Sequence, residues 1–513
     1  MNSVYSGDRE RTHGAILDNS MKAAAGFLEL GVKVDAGVGV MLRNDFSFYE
    51  ASKAAAHAGS YVVPINWHFK GEEVTYLLEN SNSGVLVIHS DLLPNIEGAL
   101  PEGTTVLVVP TPAEVAATYG IPDSACEVPA GMLNWDDWLA GQTALDAPAT
   151  DAPGAMFYTS GTTGKPKGVK RAKLDPETIA EATQSIMAAS MEAWGFNSLE
   201  IRTIVTGPMY HSAPNSYANA SQNMGLYTVL QPKFDAEDFL RLVERHKVTH
   251  AIMVPTMFVR LLALPEDIKN KYDLSSLQFV THGAAPCSPE VKRQMIDWFG
   301  PVINEYYGGT EMGLVSAVNS EDALARPGTV GKALTGATIK IFDDEGTELG
   351  PNEVGDIYVG MKGMPDFTYH GHEEKRAEIG RQGLVCIGDV GCIDDDGYLF
   401  LRDRKIEMVI SGGVNIYPAE IEASLVTMPG IADCAVFGIP DKEFGESLCA
   451  HVQLEAGASI AADDVKAFMR EQVAGYKVPR TIEFANELPR EDSGKIWKKK
   501  LRAPYWEGMD RQI

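Results

Sequence analysis

Residues 158–168 read Tyr-Thr-Ser-Gly-Thr-Thr-Gly-Lys-Pro-Lys-Gly, which puts three glycines, five hydroxyl-bearing side chains and two lysines into eleven positions. They follow the apolar Ala155, Met156 and Phe157 directly. Such a stretch suits neither a helix nor a strand interior; it suits a loop that wraps an anion. Gly161 and Gly164 let backbone N–H groups turn toward a phosphate, the hydroxyls of Thr159, Ser160, Thr162 and Thr163 add hydrogen-bonding groups, and Lys165 and Lys167 bring charge. The loop is not that of a P-loop nucleotidase, because two residues rather than four separate Gly161 from Gly164 and Pro166 follows the first lysine. A flexible solvated spacer is the competing reading, and lysines with a rigid proline count against it.

The chain around this loop is long and acidic. Its 513 residues exceed what one hydrophobic core fills, so two or more folding units are expected. Counting 44 basic against 70 acidic residues gives a net charge of −26. That field repels nucleic acid and anionic membrane, so any polyphosphate must be captured by local positive features. Residues 1–12 are polar and mixed in charge, and no run of about 18 apolar residues occurs, which argues against secretion and membrane spanning and for a cytoplasmic protein. The six cysteines lie apart without a Cys-x-x-Cys pair, so they are expected as free thiols in a reducing compartment rather than as disulfides or zinc ligands.

Periodicity predicts an α/β chain. Asn19 and Ser20 are the expected caps of a helix carrying Met21, Phe27, Leu28 and Leu30. Strands are expected at 38–42, 61–65, 85–88 and 105–109, with a helix over 46–57, in the alternation of a parallel sheet covered on both faces. After an Ala/Pro/Asp/Thr-rich connection at 139–154, a second αβ series follows: strands at 203–205, 229–231, 251–254, 279–280 and 302–304 and a helix at 236–246. Beyond Gly328 the pattern becomes β-rich, with 338–342 and 355–359 fitting an antiparallel or barrel-like segment. After about residue 405 it becomes α+β, with helices at 419–427 and 462–472 and strands at 435–438 and 450–453.

Further motifs follow in order. Pro208-Met209-Tyr210-His211-Ser212-Ala213-Pro214 closes a predicted strand, where ligand-facing residues of open α/β sheets sit. Gly283-Ala284-Ala285-Pro286 closes another, and Asn304-Glu305-Tyr306-Tyr307-Gly308-Gly309-Thr310-Glu311 a third. Then come Ile387-Gly388-Asp389, Arg402-Asp403-Arg404-Lys405, Ser411-Gly412-Gly413-Val414-Asn415-Ile416-Tyr417-Pro418 and, near the end, Ser493-Gly494-Lys495-Ile496. Taken singly, His211 reads as an ordinary hydrogen-bonded histidine, Glu311 as a surface carboxylate and Ser-Gly-Lys as an exposed bend.

Taken together with the loop at 158–168, these segments resemble the motifs of the adenylate-forming superfamily, which includes acyl-CoA synthetases, peptide-synthetase adenylation domains and beetle luciferases. The resemblance covers nearly the whole chain. It implies a large N-terminal domain, 1–404, of two α/β subdomains plus a distorted β-barrel, and a small mobile α+β C-terminal domain, 405–513. It places His211 near the acyl carboxylate, Gly283 to Pro286 along adenine, Tyr307 and Gly308 against the nucleotide, Thr310 on phosphate and Glu311 on Mg²⁺. Asp389 is placed on the ribose hydroxyls, Arg404 near the ribose, Gly413 on a pantetheine passage and Lys495 as the catalytic lysine. The neighbouring Lys498, Lys499 and Lys500 are read as solvated.

The implied reaction is that of an acid–thiol ligase with ATP, coenzyme A and a small carboxylic acid as substrates, fatty-acid-like or otherwise apolar. The aromatic-histidine motif holds no carboxylate to bind an α-amino group, and free coenzyme A rather than an attached carrier domain is the expected acceptor. A stand-alone enzyme loading a carrier protein, a luciferase-like oxygenase and an inactive nucleotide-binding relative remain as alternatives, and a homodimer is allowed. Two positions depart from the family pattern: Ile387 stands where threonine is common, and Ile406 where the hinge is commonly Asp or Lys.

Overall fold

The computed structural model describes residues 2–149, 153–159, 166–173, 177, 179–412, 414–491 and 495–507. Its first sheet is wholly parallel, in the order Tyr61–Pro64, Gly37–Met41, Val85–His89, Thr105–Val109, Leu133–Asn134. Every residue of the three strands Gly37–Met41, Tyr61–Pro64 and Val85–His89 is buried, which is why these segments read as unbroken apolar runs: helices cover both faces. Helix Phe46–His57 lies where the pattern put it, but the preceding helix begins well before Asn19 and Ser20. It spans His13–Glu29, and its cap is Thr12, whose hydroxyl accepts the Ala15 N–H at 3.1 Å. The cue at Asn19 and Ser20 misleads because the first turns carry little apolar periodicity and leave Leu17 exposed.

The second sheet has fifteen strands and does not stop at the second α/β series. Its parallel part runs Tyr227–Leu230, Arg202–Val205, His250–Met253, Phe279–His282, Ile303–Gly309. At Ile303–Gly309 the direction changes. A hairpin with a bulge between Tyr307 and Gly308 pairs this strand antiparallel with Gly313–Val318, and hydrogen bonding continues through Thr329–Ala333 and Leu399–Arg404 into the barrel-like segment. Gly308 is obligatory here, since a Cβ would lie 2.2 Å from the Gly313 carbonyl oxygen. The other edge holds an element that periodicity does not show: Ser3–Ser6 and Arg9–Thr12 form a hairpin, and Ser3–Ser6 pairs parallel with Tyr227–Leu230.

Beyond Arg404 a separate five-stranded sheet is built on the long antiparallel pair Ile431–Asp441 and Gly445–Leu454, with Thr481–Ala485 added in parallel. Helices Pro418–Leu425 and Ala462–Gln472 pack on it through Ile421, Leu425, Val465 and Met469. Among the described residues no helix is long and apolar enough to cross a membrane.

One buried ion pair holds a site-bearing strand in place. Lys292 of helix Pro289–Phe299 donates to Glu305 of strand Ile303–Gly309, both nearly inaccessible, and His282 lies behind them with its Nδ1 3.9 Å from Glu305. Breaking such a pair from one side leaves an uncompensated buried charge, at a cost of about 3–5 kcal/mol. Lys292→Met is therefore expected to lower the thermal midpoint of the N-terminal region by several degrees. Lys292→Met with Glu305→Leu should recover most of that loss, as followed by scanning calorimetry.

Candidate active site

A cleft of about 2630 Å³ gathers the sequence motifs. Its wall includes Thr159, Lys167, His211, Ala284, Ala285, Pro286, the run from Tyr307 to Glu311, Asp389, Arg404 and Lys495. Gly283 is not on the wall; it lies beneath it, where a Cβ would meet the Tyr306 ring and carbonyl at 2.7 Å. Ser160, Gly161, Thr162, Thr163, Gly164, Lys165 and Gly413 lie outside the described residues.

The two flanks of the glycine-rich loop are tied down. Strands Phe157–Thr159 and Lys167–Arg171 pair antiparallel, Thr159 opposite Lys167. Tyr158 donates its phenol to Asn80 at 2.6 Å, and Tyr76 donates to the Pro166 carbonyl at 3.0 Å, so the first subdomain grips both flanks. Lys167 is buried beside Lys375, with its ammonium 5.6 Å from the Tyr369 ring centroid; burial, then the neighbouring lysine, pulls its pKa down. The Glu311 carboxylate receives the Thr159 hydroxyl at 3.4 Å and the Tyr369 phenol at 3.2 Å, both at Oε1.

Arg171, which the sequence reading passed over, organises this corner. Its guanidinium donates to the carbonyls of Thr310 at 2.7 Å, Glu311 at 3.0 Å and Pro365 at 3.0 Å. Burial lowers its pKa, but an arginine remains charged in any protein setting. The fork thereby fixes the backbone of the Thr310–Glu311 turn and adds positive charge behind it. Its only sequence signal is its place shortly after the anion loop.

On a second side, Tyr307 donates its phenol to Asp389 Oδ2 at 2.5 Å, and Arg404 Nε lies 3.3 Å from Oδ1. Burial, then Asp389, raises the Tyr307 pKa, so the phenol stays protonated and acts as a donor. Ala284 adopts φ 66°, a left-handed conformation that costs an alanine about 1–2 kcal/mol. Strain of this kind persists where the surroundings dictate the backbone. Ile387 takes up its departure from the family pattern by packing toward Gly309: a Cβ on that glycine would sit 3.4 Å from the Ile387 Cδ1.

On the third side, His211 is the N-cap residue of helix Ser212–Asn223, its ring 4.4 Å from that of Tyr210, which meets Trp67 edge-on at 4.6 Å. The Ser212 and Thr310 hydroxyls are 2.9 Å apart, so the histidine motif and the Thr310–Glu311 turn converge. Asn44 sets this segment: its amide donates to the carbonyls of Gly207 at 2.9 Å and Gln231 at 3.1 Å and accepts the Met209 N–H at 2.8 Å. Cys287 also lines the cleft, but burial pushes its thiol pKa up and makes it a poor nucleophile.

Lys495 closes the cleft from the C-terminal side, with Nζ 4.0 Å from Glu407. Its neighbourhood corrects one expectation. Lys499 and Lys500 are exposed, whereas the Lys498 side chain is only 15% exposed and reaches Glu407 at 3.1 Å and Glu422 at 2.8 Å. Burial alone would lower the Lys498 pKa, but Glu422, Glu407 and Asp403 outweigh it and raise it. Burial also acts to raise that of Glu407, yet Lys498 and Lys495 hold this carboxyl below its ordinary value. Between these residues and the large sheet runs the turn at 405–407, where the Lys405 ammonium bridges Asp344 at 2.7 Å and Asp356 at 2.9 Å and Ile406 is 50% exposed.

Comparison with known proteins identifies the family. The AMP-binding enzyme family matches residues 2–365, and the AMP-binding enzyme C-terminal domain matches residues 420–495. The chain belongs to this family of adenylate-forming enzymes. Among its relatives, a 3-[(3aS,4S,7aS)-7a-methyl-1,5-dioxo-octahydro-1H-inden-4-yl]propanoyl:CoA ligase of Rhodococcus jostii is 31% identical over 520 residues, covering 98% of this chain and 95% of the relative. A fatty acid–[acyl-carrier-protein] ligase, ScoC, of Streptomyces coeruleorubidus is 30% identical over 471 residues, covering 91% and 86%. The solved structure of the anthranilate CoA ligase AuaEII with anthranoyl-AMP aligns with a TM-score of 0.86 at 25% identity, covering 98% of this chain and 94% of that one.

The Arg171 geometry generates a test. Arg171→Leu leaves three carbonyls without their donor and frees the Thr310–Glu311 turn. AMP affinity is expected to fall on the order of tenfold or more, about 1.5–3 kcal/mol for a lost charged donor. Arg171→Lys should restore little of it, because one ammonium cannot reproduce a planar fork across three carbonyls. Calorimetric titration with AMP measures both variants.

Proposed function

We propose that the protein is an ATP-dependent, AMP-forming acid–thiol ligase that converts a carboxylic acid to its coenzyme A thioester. The observation that carries this reading is the single cleft shared by Thr310, Glu311, Asp389 and Lys495, which come from segments far apart in the chain. In the first half-reaction an oxygen of the acid attacks the α-phosphorus of ATP, a P–O bond forms, and pyrophosphate leaves. In the second, a thiolate attacks the acyl carbon of the adenylate, the thioester forms and AMP leaves. Asp389, already accepting from Tyr307 and Arg404, has the acceptor oxygens that a ribose diol requires. Lys495 carries the cation that opposes charge building on the α-phosphate, helped by the glycine-rich loop. His211 and the Ser212–Thr310 hydroxyl pair sit where the carboxylate meets the phosphate.

Mg²⁺ belongs to this reading as the partner of the polyphosphate. Glu311 suits it: among the described residues its carboxylate meets hydroxyl donors and no lysine or arginine within ion-pair distance, and no cluster of three or more acidic, histidine or cysteine ligands competes for a metal. A Mg²⁺ held by one carboxylate completes its shell with phosphate oxygens and water, and when bound it neutralises polyphosphate charge.

The same reading divides the chain at Arg404 and Lys405, supported by the change from the fifteen-stranded sheet, whose last strand in sequence is Leu399–Arg404, to the five-stranded sheet that begins at Val409–Ser411. Free thiols at all six cysteines suit the reducing cytoplasm, and the assembly state is a matter for sedimentation. Coenzyme A is preferred to a carrier protein as acceptor because several similar ligases are named for CoA, although ScoC is named for a carrier protein.

Half-reaction assays test the assignments. Lys495→Ala is expected to abolish adenylate formation, measured by pyrophosphate exchange, while thioester formation from presynthesised acyl-AMP stays nearly intact; equal loss in both rejects the role. Glu311→Gln should raise the magnesium concentration needed for half-maximal rate.

Ile406 supplies a further test. A hinge residue absorbs a large φ/ψ change, and proline fixes φ near −65° and removes a donor. Ile406→Pro is expected to spare one half-reaction and slow the other on the order of a hundredfold, about 2.7 kcal/mol in barrier. Ile406→Asp should leave both largely unchanged, since the exposed side chain packs against little. Loss of neither half-reaction in Ile406→Pro moves the hinge elsewhere.

A further inference from the structure

Helix Ser212–Asn223 lays one face along the cleft, and that face is polar. Ser212, Asn215, Ser216, Asn219 and Asn223 all line it, at the spacings of three and four that keep side chains on one side of a helix. Hydrogen bonds hold both ends of this face, Asn215 and Asn219 at one and Asn223 at the other. Buried Asn215 donates to the Met209 carbonyl at 2.8 Å and accepts from Asn219 at 2.7 Å, and at the far end Asn223 accepts from the Lys53 ammonium at 2.7 Å. Ser52, Lys53 and Ala56 of helix Phe46–His57 line the same end.

A cavity made for a plain hydrocarbon has no use for such a wall, because apolar groups held against amides and an ammonium leave those groups without the partners they have in water. The cleft has apolar residues available for that purpose, among them Ile186, Ala189, Val259, Leu262 and Leu314. Lys53 is the least explained member of the polar wall. Its ammonium offers three donors, and among the described residues its one side-chain hydrogen bond is to Asn223, with no carboxylate at ion-pair distance. Burial lowers its pKa, and the titratable side chains it acts on, His57 and His13, are potential cations rather than counter-ions. Lys53 is thus a partly desolvated cation, facing a cavity, without an anion of the protein's own.

We propose that this end of the cleft recognises a hydrogen-bond acceptor on the acid, an oxo or carboxylate oxygen remote from the reacting carboxyl group, with Lys53 and Asn223 as the specificity-determining pair. The proposal rests on the ligase reading above. The reacting end is marked by the Ser212–Thr310 contact, and Asn223 lies eleven residues further along the same helix, about 16 Å at 1.5 Å per residue. The preferred acid is therefore extended, with an acceptor at its far end.

The test uses three acids of matched length, ending in a methyl group, an oxo group or a second carboxylate, with the wild type, Lys53→Met and Asn223→Asp. Pyrophosphate release measures selectivity. The wild type should favour the acceptor-bearing acids over the alkyl acid, and Lys53→Met should lower that kcat/KM ratio on the order of ten- to a hundredfold, as expected for a lost charged hydrogen bond. Asn223→Asp, which gives Lys53 an anion, should penalise the dicarboxylate more than the oxo acid. A larger loss for the dicarboxylate than for the oxo acid in Lys53→Met identifies an anionic acceptor; equal losses identify a neutral one. Direct binding of the same acids by calorimetry needs no turnover. Selective binding without pyrophosphate release rejects the ligase reading and keeps the pocket. Equal treatment of all three acids by wild type and Lys53→Met overturns the pocket and leaves Lys53 as a solvated lip of the cleft.

Discussion

One buried amide, set in the core the two α/β layers share, bonds directly to both of them. Asn44 follows strand Gly37–Met41 of the first sheet, while its partners Gly207 and Gln231 follow strands Arg202–Val205 and Tyr227–Leu230 of the second. With the Met209 N–H on its oxygen, the side chain is satisfied on both donors and its acceptor, in a place only 1% exposed. Three net contributions of about 1 kcal/mol are modest, but each abandoned partner in a dry interface carries a full desolvation penalty. Because Gly207 and Met209 lie four and two residues before His211, the relation of the sheets and the position of this histidine are one constraint. Neighbouring Asp45 extends the same seam: Arg9 of the N-terminal hairpin reaches it at 2.6 Å.

Charge is arranged on the same local principle. A chain with net charge −26 must bind a tetra-anion without help from its overall field. It brings Lys167, Arg171 and Lys495 to the cleft, while Lys405 on the same wall is tied to Asp344 and Asp356. The Lys498–Glu407–Glu422 group carries this into the C-terminal part. Lys498 meets two carboxylates from within that part, so its ammonium is not left as an unpaired buried charge.

What the sequence discloses and what it conceals follow from the range of the interactions. Fully buried parallel strands such as Val85–His89 announce themselves because both faces need apolar residues. The motif residues are legible because their chemistry is concentrated in short segments, as at Tyr307 to Glu311. Asn44 and Arg171 are single polar residues whose partners lie well over a hundred positions away, so no local pattern marks them. Lys498 stands in a run of three lysines, and only the fold reveals that one of them faces Glu407 and Glu422. The polar face of Ser212–Asn223 was within reach of a helical count, but its meaning depended on Lys53 coming from another helix.

The N-terminal hairpin bears on how the chain is made. Ser3–Ser6 has its partner at Tyr227–Leu230, and the intervening residues include the whole of the first sheet. Closing so long a loop adds little equilibrium cost, since that cost grows only with the logarithm of length. In time the effect is different: on the ribosome the segment waits until more than two hundred further residues have emerged. It waits as a short strand flanked by Arg9, Glu10 and Arg11, and such charges discourage pairing with a stray neighbour. The first subdomain can finish folding during that interval, before the N-terminal strand meets its partner.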